Sequence, residues 1–570
     1  MQLNSEVTDT LIDRLAADLE TSDFSVGTLS ELWGERAEQA LHRGERVPAL
    51  RALAARRAAQ GPQPAEPAAP APGSTSASAP APAPAPASAR ASASPSESDS
   101  ASAPADPAEP AATLASLFLL GVPVEASALA AALPTLGLDG AAELGLVAID
   151  GDQARAVVDL RPYSFVDTAG AGSWWIVSDL GEMVLEGALT TDHVLGVGGA
   201  SLTLSGLMVS RPVGRVLDLG TGCGIQALHA ARHAEHVVAT DISPRALEIA
   251  ALNARLNGVH NLEFRLGDMF EPVDGERFDQ IVTNPPFVIT PRRADVPAYE
   301  YRDGGRIGDG IMHEVVTGVG RHLNPGGLAQ MLGNWEYRAG EDGFDRVRGW
   351  VQASDTPLDA WLIERERQDP AAYAATWIRD GGTRSGTPDF DHLYNAWLDD
   401  FAERGVESVG FGYLTLRRAA QDPQDPQVLR AAEPLRRFER MPDALAASSG
   451  LGTHIAAVLD AHDWIAAHDD DALWRATLRV APDVTEERNY WPGNDDPSTI
   501  TLKQGGGFAR TVKLDTALAA LVGASDGELP VGVIVEAIAQ LLDADAPALR
   551  QELLPRVRRL ILDGFVQAQG

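Results

Sequence analysis

Four short stretches carry residues able to do chemistry, and each ends a strand-like apolar run. "VLDLGTGCG" places Asp218, Gly220, Gly222 and Gly224 at a strand-to-helix turn. Glycines there permit positive φ and let a ligand approach the backbone closely. Asp241 ends "HVVATD", at the distance of about twenty residues where an acidic side chain holds ribose hydroxyls. "LGDMF" puts Asp268 and Met269 beyond a third run, where a carboxylate can accept from an adenine amino group. "IVTNPPF" ends in Asn284, Pro285, Pro286 and Phe287. Consecutive prolines cannot continue a sheet ladder, so the chain is stiff where a strand stops.

The first two stretches fit more than one nucleoside cofactor. Gly222-x-Gly224-x-x-Ala227 also satisfies the looser dinucleotide fingerprint, and Asp241 would hold ribose in either case. The fourth stretch separates them, because a dehydrogenase has no use for Asn-Pro-Pro-Phe. A methyl donor acting on a planar nitrogen does. The lone pair of an amide or aromatic amino nitrogen is delocalised and attacks a sulfonium methyl poorly. Two fixed acceptors, the Asn284 side-chain oxygen and the Pro285 carbonyl, can both take hydrogen bonds from an NH2 group. They favour rehybridisation and stabilise charge growing on nitrogen. Phe287 offers a ring for stacking.

These residues need a frame that brings strand ends together. "RVLDLG", "HVVATD", "LEFRL", "FDQIVT" and "GLAQMLGNWE" are strand candidates with helical patterns between, which implies a doubly wound α/β sheet. The helix after Asp241 is well signalled by Ser243 as cap, Pro244 in the first turn and Gly258 at its end. "LDAWLIERE" and "VESVGFGYLTLRR" suit an antiparallel edge pair flanking "DHLYNAWLDDFAERG", for seven strands in all over residues 165–418. Residues 1–60 read as short helices and 61–111 as a disordered Ala/Pro/Ser linker. Residues 112–164 suggest a winged-helix-like module with a type I′ turn at Asp150-Gly151. Residues 419–570 form a mainly helical C-terminal domain.

The formal charge of −34 argues against a chain that coats nucleic acid non-specifically. Arg292, Arg293, Arg302 and Arg306 follow the fourth stretch and suit RNA phosphates, protein carboxylates or plain surface ion pairs. Cys223 is the single cysteine, which excludes an internal disulfide and a thiolate zinc cluster and fits a cytoplasmic setting. The histidines lack metal-ligand spacing, so no metal is assigned. The acidic N-terminus is no signal peptide, and the apolar run Leu114 to Val124 is too short for a membrane span.

Residues 165 to about 335 resemble a class I S-adenosylmethionine-dependent methyltransferase with the motif order of the HemK-like family. That family shares the Asn-Pro-Pro-aromatic signature with adenine-N6 methyltransferases, and "NPPFVITP" with "YRDGGRIGDG" looks more like HemK proteins, which methylate a glutamine of translation release factors. The resemblance implies a Rossmann-like sheet with S-adenosyl-L-methionine as cofactor. It further implies that Asp218, Gly220, Gly222 and Gly224 cradle the methionine end, Asp241 the ribose, and Asp268 with Met269 the adenine. Asn284, Pro285 and Phe287 would hold the substrate nitrogen. Phe287 stands where HemK proteins usually carry Tyr, and the flanks are not theirs. The HemK-like loop and the acidic charge make a protein glutamine the expected target, while Phe287, the nearby arginines and the winged-helix-like flank make an exocyclic nucleobase amine in RNA or DNA the alternative. An NAD-binding oxidoreductase and an inactive binding protein are more distant ones.

Overall fold

The computed structural model describes residues 5–59, 108–181, 184–185, 189–419, 433–441 and 450–569. The expected linker lies outside them except at its end, where Ala108–Leu114 is helical rather than disordered.

The large sheet has eight strands. In chain order they are β1 (Val213–Leu219), β2 (Ala234–Asp241), β3 (Leu262–Leu266) and β4 (Phe278–Thr283), then β5 (Leu323–Arg338), β6 (Leu358–Gln368), β7 (Val406–Arg418) and β8 (Arg436–Arg440). Their spatial order is β8-β6-β7-β5-β4-β1-β2-β3. β1 to β5 run parallel, and β7 lies antiparallel between β5 and β6, as the expected edge pair requires. Buried apolar runs such as Val216-Leu217 and Ile281-Val282 are what a sheet covered on both faces demands.

β8 corrects the boundary at 418, because it adds an eighth strand from the region assigned to the C-terminal domain. Its sequence, "RRFER", has no apolar run to announce it. Pairing makes its burial tolerable: Arg437 meets Asp563 at 2.5 Å and Glu439 at 2.7 Å, and its guanidinium lies over the Trp361 ring.

Register decides the site. Leu219 of β1 pairs with Thr240 of β2 and with Thr283 of β4, while Asp241 pairs with Leu266 of β3. Gly220, Asp241, Gly267 and Asn284 therefore leave the sheet at one edge. The order reverses beside β1, so this edge is the crevice where open α/β sheets bind ligands.

The N-terminal boundaries also change. The helices Ser5–Thr21 and Val26–Trp33 bury Leu15, Leu19 and Leu29 in the same core as Leu114, Phe118 and Leu160, so residues 5–59 and 112–164 form one unit. The Asp18 carboxylate accepts the N–H groups of Thr135 and Leu136 across it. Within the unit, Ala126–Ala132 and Gly137–Glu143 precede the hairpin Val147–Asp150/Gln153–Ala156, and Val124–Glu125 adds a third strand, an order matching a winged helix. Its two loop residues are Gly151 and Asp152, with only Gly151 at positive φ, so the turn is not type I′.

The boundary at 164 cuts a second hairpin, Val158–Asp167/Gly170–Asp179. That hairpin is fastened to the large sheet's helix Pro244–Leu256 by Asn253, which is fully buried. Asn253 accepts the Val177 N–H at 2.8 Å and donates to the carbonyls of Val177 and Cys223. Asn253→Ala orphans all three backbone groups and is expected to cost about 3 kcal/mol, read by chemical denaturation.

The C-terminal region is richer in helix than in strand, as expected, but it also carries sheets. Helices such as Gly452–Ala467, Val531–Leu541 and Ala546–Leu562 are interleaved with two three-stranded sheets. Their strands are short, four to six residues each, and gave little periodicity to read. No described helix is long and apolar enough to cross a membrane.

Candidate active site

The glycine turn is held by the strands on either side. Gly220, Gly222 and Gly224 have φ of +75°, +54° and +87°, which side chains with a Cβ adopt only under strain. The N–H groups of Gly220 and Thr221 donate to the Thr240 carbonyl, and the Gly222 N–H donates to Asp241 at 2.8 Å. Asp241 also accepts the Ser243 N–H, so one carboxylate joins the turn to the following helix. Burial pushes the Asp241 carboxyl above its ordinary pKa, against the pull of these N–H donors.

Asp218 is not among the lining residues. It is wholly buried and stands behind the cavity rather than in it, accepting the Thr221 hydroxyl at 2.6 Å. Gly224 also lies outside the lining, since a Cβ there would meet the Ala250 Cβ at 3.0 Å, and its work is close helix packing. Burial raises the Asp218 carboxyl to about 7, opposed by the Thr221 hydrogen bond. A raised folded-state pKa means that the folded protein binds more protons than the unfolded chain between the two values, so stability falls as pH rises through them. Asp218→Asn keeps an acceptor for Thr221 and should abolish that dependence. Its stability relative to the parent should grow from pH 4 to about 7 in denaturation titrations and level off above.

At the end of β4, the Thr283 hydroxyl donates to the Leu219 carbonyl at 2.6 Å and fixes the exit of the strand. The Asn284 side-chain oxygen follows, buried and accepting from no group. Such an orphan costs about 1–3 kcal/mol and calls for an explanation, of which a ligand donor is one. The Pro285 carbonyl accepts the Phe287 N–H at 2.7 Å, which leaves it a second lone pair. The Gly304 N–H donates to Pro286, the Val288 N–H to Arg302, and the Ile289 N–H to the Tyr373 hydroxyl. The backbone is thus pinned at five successive residues, 285–289.

One cavity of about 470 Å³ brings together Gly220, Gly222, Asp241, Asp268, Met269, Asn284, Pro285 and Phe287. Met269 holds φ +47°, an uncommon conformation for a residue with a side chain, and this places it among the lining residues. Gly198 and Gly199, which open the helix Gly199–Leu207, also line the cavity. Sequence reading missed Thr240, Gln226 and Trp377. Thr240 Oγ1 and Gln226 Oε1 are buried without partners. Trp377 comes from Pro370–Asp380, a helix between β6 and β7, and no motif links it to the glycine turn. Open space above Gly222, the Asp241 carboxylate and two orphan polar atoms suit a ligand with a nucleoside and a polar zwitterionic end.

The four arginines after the Asn-Pro-Pro-Phe stretch are paired with carboxylates. Arg292 meets Asp303, Arg293 meets Asp295 at 3.1 Å, and Arg302 meets Asp380 at 2.6 Å. Arg306 bridges Glu314 and Asp268 at 2.8 and 3.3 Å. The structure spends them within the protein.

Residues 198–341 match the methyltransferase small domain family, and that segment holds most of the cavity. Residues 21–65 with 82–157 match a domain of unknown function (DUF7059), and residues 456–568 match another (DUF7782). The chain is 39% identical over 133 residues to a release factor glutamine methyltransferase of Xylella fastidiosa, covering 22% of this chain and 48% of that protein. It is 39% identical over 193 residues to a ribosomal protein uL3 glutamine methyltransferase of Bradyrhizobium diazoefficiens, covering 31% and 58%. A release factor glutamine methyltransferase of Cereibacter sphaeroides is 41% identical over 175 residues, covering 28% and 59%. The chain thus spans about half the length of the curated relatives it matches. Among solved structures, YcgJ of Bacillus subtilis aligns with 39% of this chain and 98% of its own at 15% identity, but its TM-score of 0.27 adds nothing to the fold described above.

Proposed function

We propose that this protein is a cytoplasmic S-adenosylmethionine-dependent methyltransferase whose acceptor is the side-chain amide nitrogen of a glutamine in another protein. The observation that carries this reading is the orphan Asn284 oxygen beside the free lone pair of Pro285, two acceptors fixed at the cavity wall. The bound donor supplies an electrophilic methyl on sulfur; the amide nitrogen's pair forms the new N–C bond, the S–C pair stays on sulfur, and one N–H proton passes to water.

The chain's own residues do the rest. Asp241 would accept the ribose hydroxyls and the Gly220–Gly222 backbone would cradle the methionine end, while Asp268 and Met269 flank the adenine. Asn284 and Pro285 accept the two N–H bonds of the amide, which weakens its conjugation and aims the nitrogen. Phe287 covers the planar group. Matches to glutamine methyltransferases support a protein acceptor over a base. So does the pairing of all four nearby arginines, which leaves no cationic track for phosphates among them.

The test is transfer of labelled methyl from S-adenosylmethionine into lysate of a strain lacking the protein, treated afterwards with ribonuclease or protease. Label lost to protease alone is expected. Label lost to ribonuclease alone would contradict a protein acceptor.

A further inference from the structure

We infer that Trp377 completes the acceptor subsite, its indole Nε1–H donating to the carbonyl oxygen of the amide whose nitrogen Asn284 and Pro285 hold. The inference rests on the amide reading above and names the group that reads the other half of that amide.

Trp377 Nε1 is buried and has no acceptor, although a buried indole N–H ordinarily finds one. The ring lines the cavity and meets Phe287 edge-on, with centroids 6.4 Å apart and planes at 80°. The lining of one cavity thus carries two orphan atoms of opposite kind, an acceptor on Asn284 and a donor on Trp377. A primary carboxamide presents their complements, N–H donors and a carbonyl oxygen, in a single plane.

The indole is also held in place. The Trp377 carbonyl accepts from Arg302 at 2.6 Å, and the same guanidinium nitrogen reaches Asp380 one turn on. Asp369 caps the helix through the Ala372 N–H, and the Tyr373 ring packs beside Trp377 at 6.0 Å. Tyr373 in turn accepts the Ile289 N–H, which ties the helix bearing Trp377 to the segment that follows Asn284. A donor at the amide oxygen fixes which end of the carboxamide faces Asn284 and Pro285, and so holds the nitrogen in line with the methyl group.

The experiment uses the whole protein with isotope-labelled tryptophan, saturated with S-adenosylhomocysteine. The eleven indole signals are followed by NMR, and the Trp377 signal is assigned by its absence in Trp377→Phe. Propionamide is then titrated in, with 9-methyladenine as a parallel arm, and the Asn284 side-chain amide is followed in a second labelled sample. A saturable downfield shift of the Trp377 indole proton with propionamide is expected. With labelled donor and the protein acceptor, Trp377→Phe should lower kcat about tenfold while leaving the donor's KM unchanged. If propionamide moves Asn284 but not Trp377, the amide reading stands and this inference falls. If 9-methyladenine alone moves both, the amide reading itself falls. No response to either probe also overturns the inference.

Discussion

Asn284→Ala is expected to lower turnover about 10²- to 10³-fold while leaving donor affinity nearly unchanged. The Asn284 oxygen is buried and unpartnered at the end of β4, with Thr283 locked to Leu219 on one side and Pro285 on the other. Removing it deletes an acceptor that engages the substrate nitrogen most strongly as charge develops there, and binding that matters only in the transition state appears in kcat. Nothing in the donor cradle depends on this side chain: Gly220 and Thr221 hang from Thr240, and Gly222 from Asp241. Calorimetry with S-adenosylhomocysteine alongside single-turnover transfer separates the two effects. Equal loss of both would show that Asn284 holds the loop rather than the substrate.

Gly222→Val is expected to abolish measurable donor binding, and turnover with it. Gly222 sits at φ +54° in the lining, and a Cβ built there meets nothing of the protein within 4 Å, so the added side chain would stand in open space at the cavity wall. A β-branched residue in the left-handed region adds about 1–2 kcal/mol of backbone strain. Relief of that strain would pull the Gly222 N–H from Asp241 and free the carboxylate meant for ribose. Calorimetry should show no saturable heat, with the denaturation midpoint lowered only modestly. Wild-type donor affinity in this variant would place the cradle elsewhere.

Much of this site was legible because its chemistry sits in contiguous motifs at strand ends. Gly220, Gly222, Asp241, Asp268, Met269, Asn284, Pro285 and Phe287 share one cavity because Leu219, Thr240 and Thr283 are level in the sheet. Alternation of strands and helices is enough to imply that arrangement. Asp218 is wholly buried against Thr221, and sequence shows that a carboxylate precedes the glycines but not which way it faces. Trp377 was invisible: its place depends on how the segment between β6 and β7 folds back over the β4 loop, a long-range packing event without local signature. β8 was missed because it is an edge strand in which only Arg437 is buried, and that guanidinium is neutralised by the distant Asp563, so no apolar run announces it. The N-terminal boundary escaped for a related reason: Leu15 and Phe118 share a core across a long Ala/Pro/Ser stretch.

The most direct measurement is the identity of the methylated atom. The acceptor labelled in lysate is isolated, digested to peptides and, in parallel, to nucleosides, and sequenced by tandem mass spectrometry. The account predicts one methyl group on the side-chain amide nitrogen of a glutamine, present with the parent protein and missing with Asn284→Ala. A methylated nucleoside, or a methyl group on any other atom of the peptide, would contradict it.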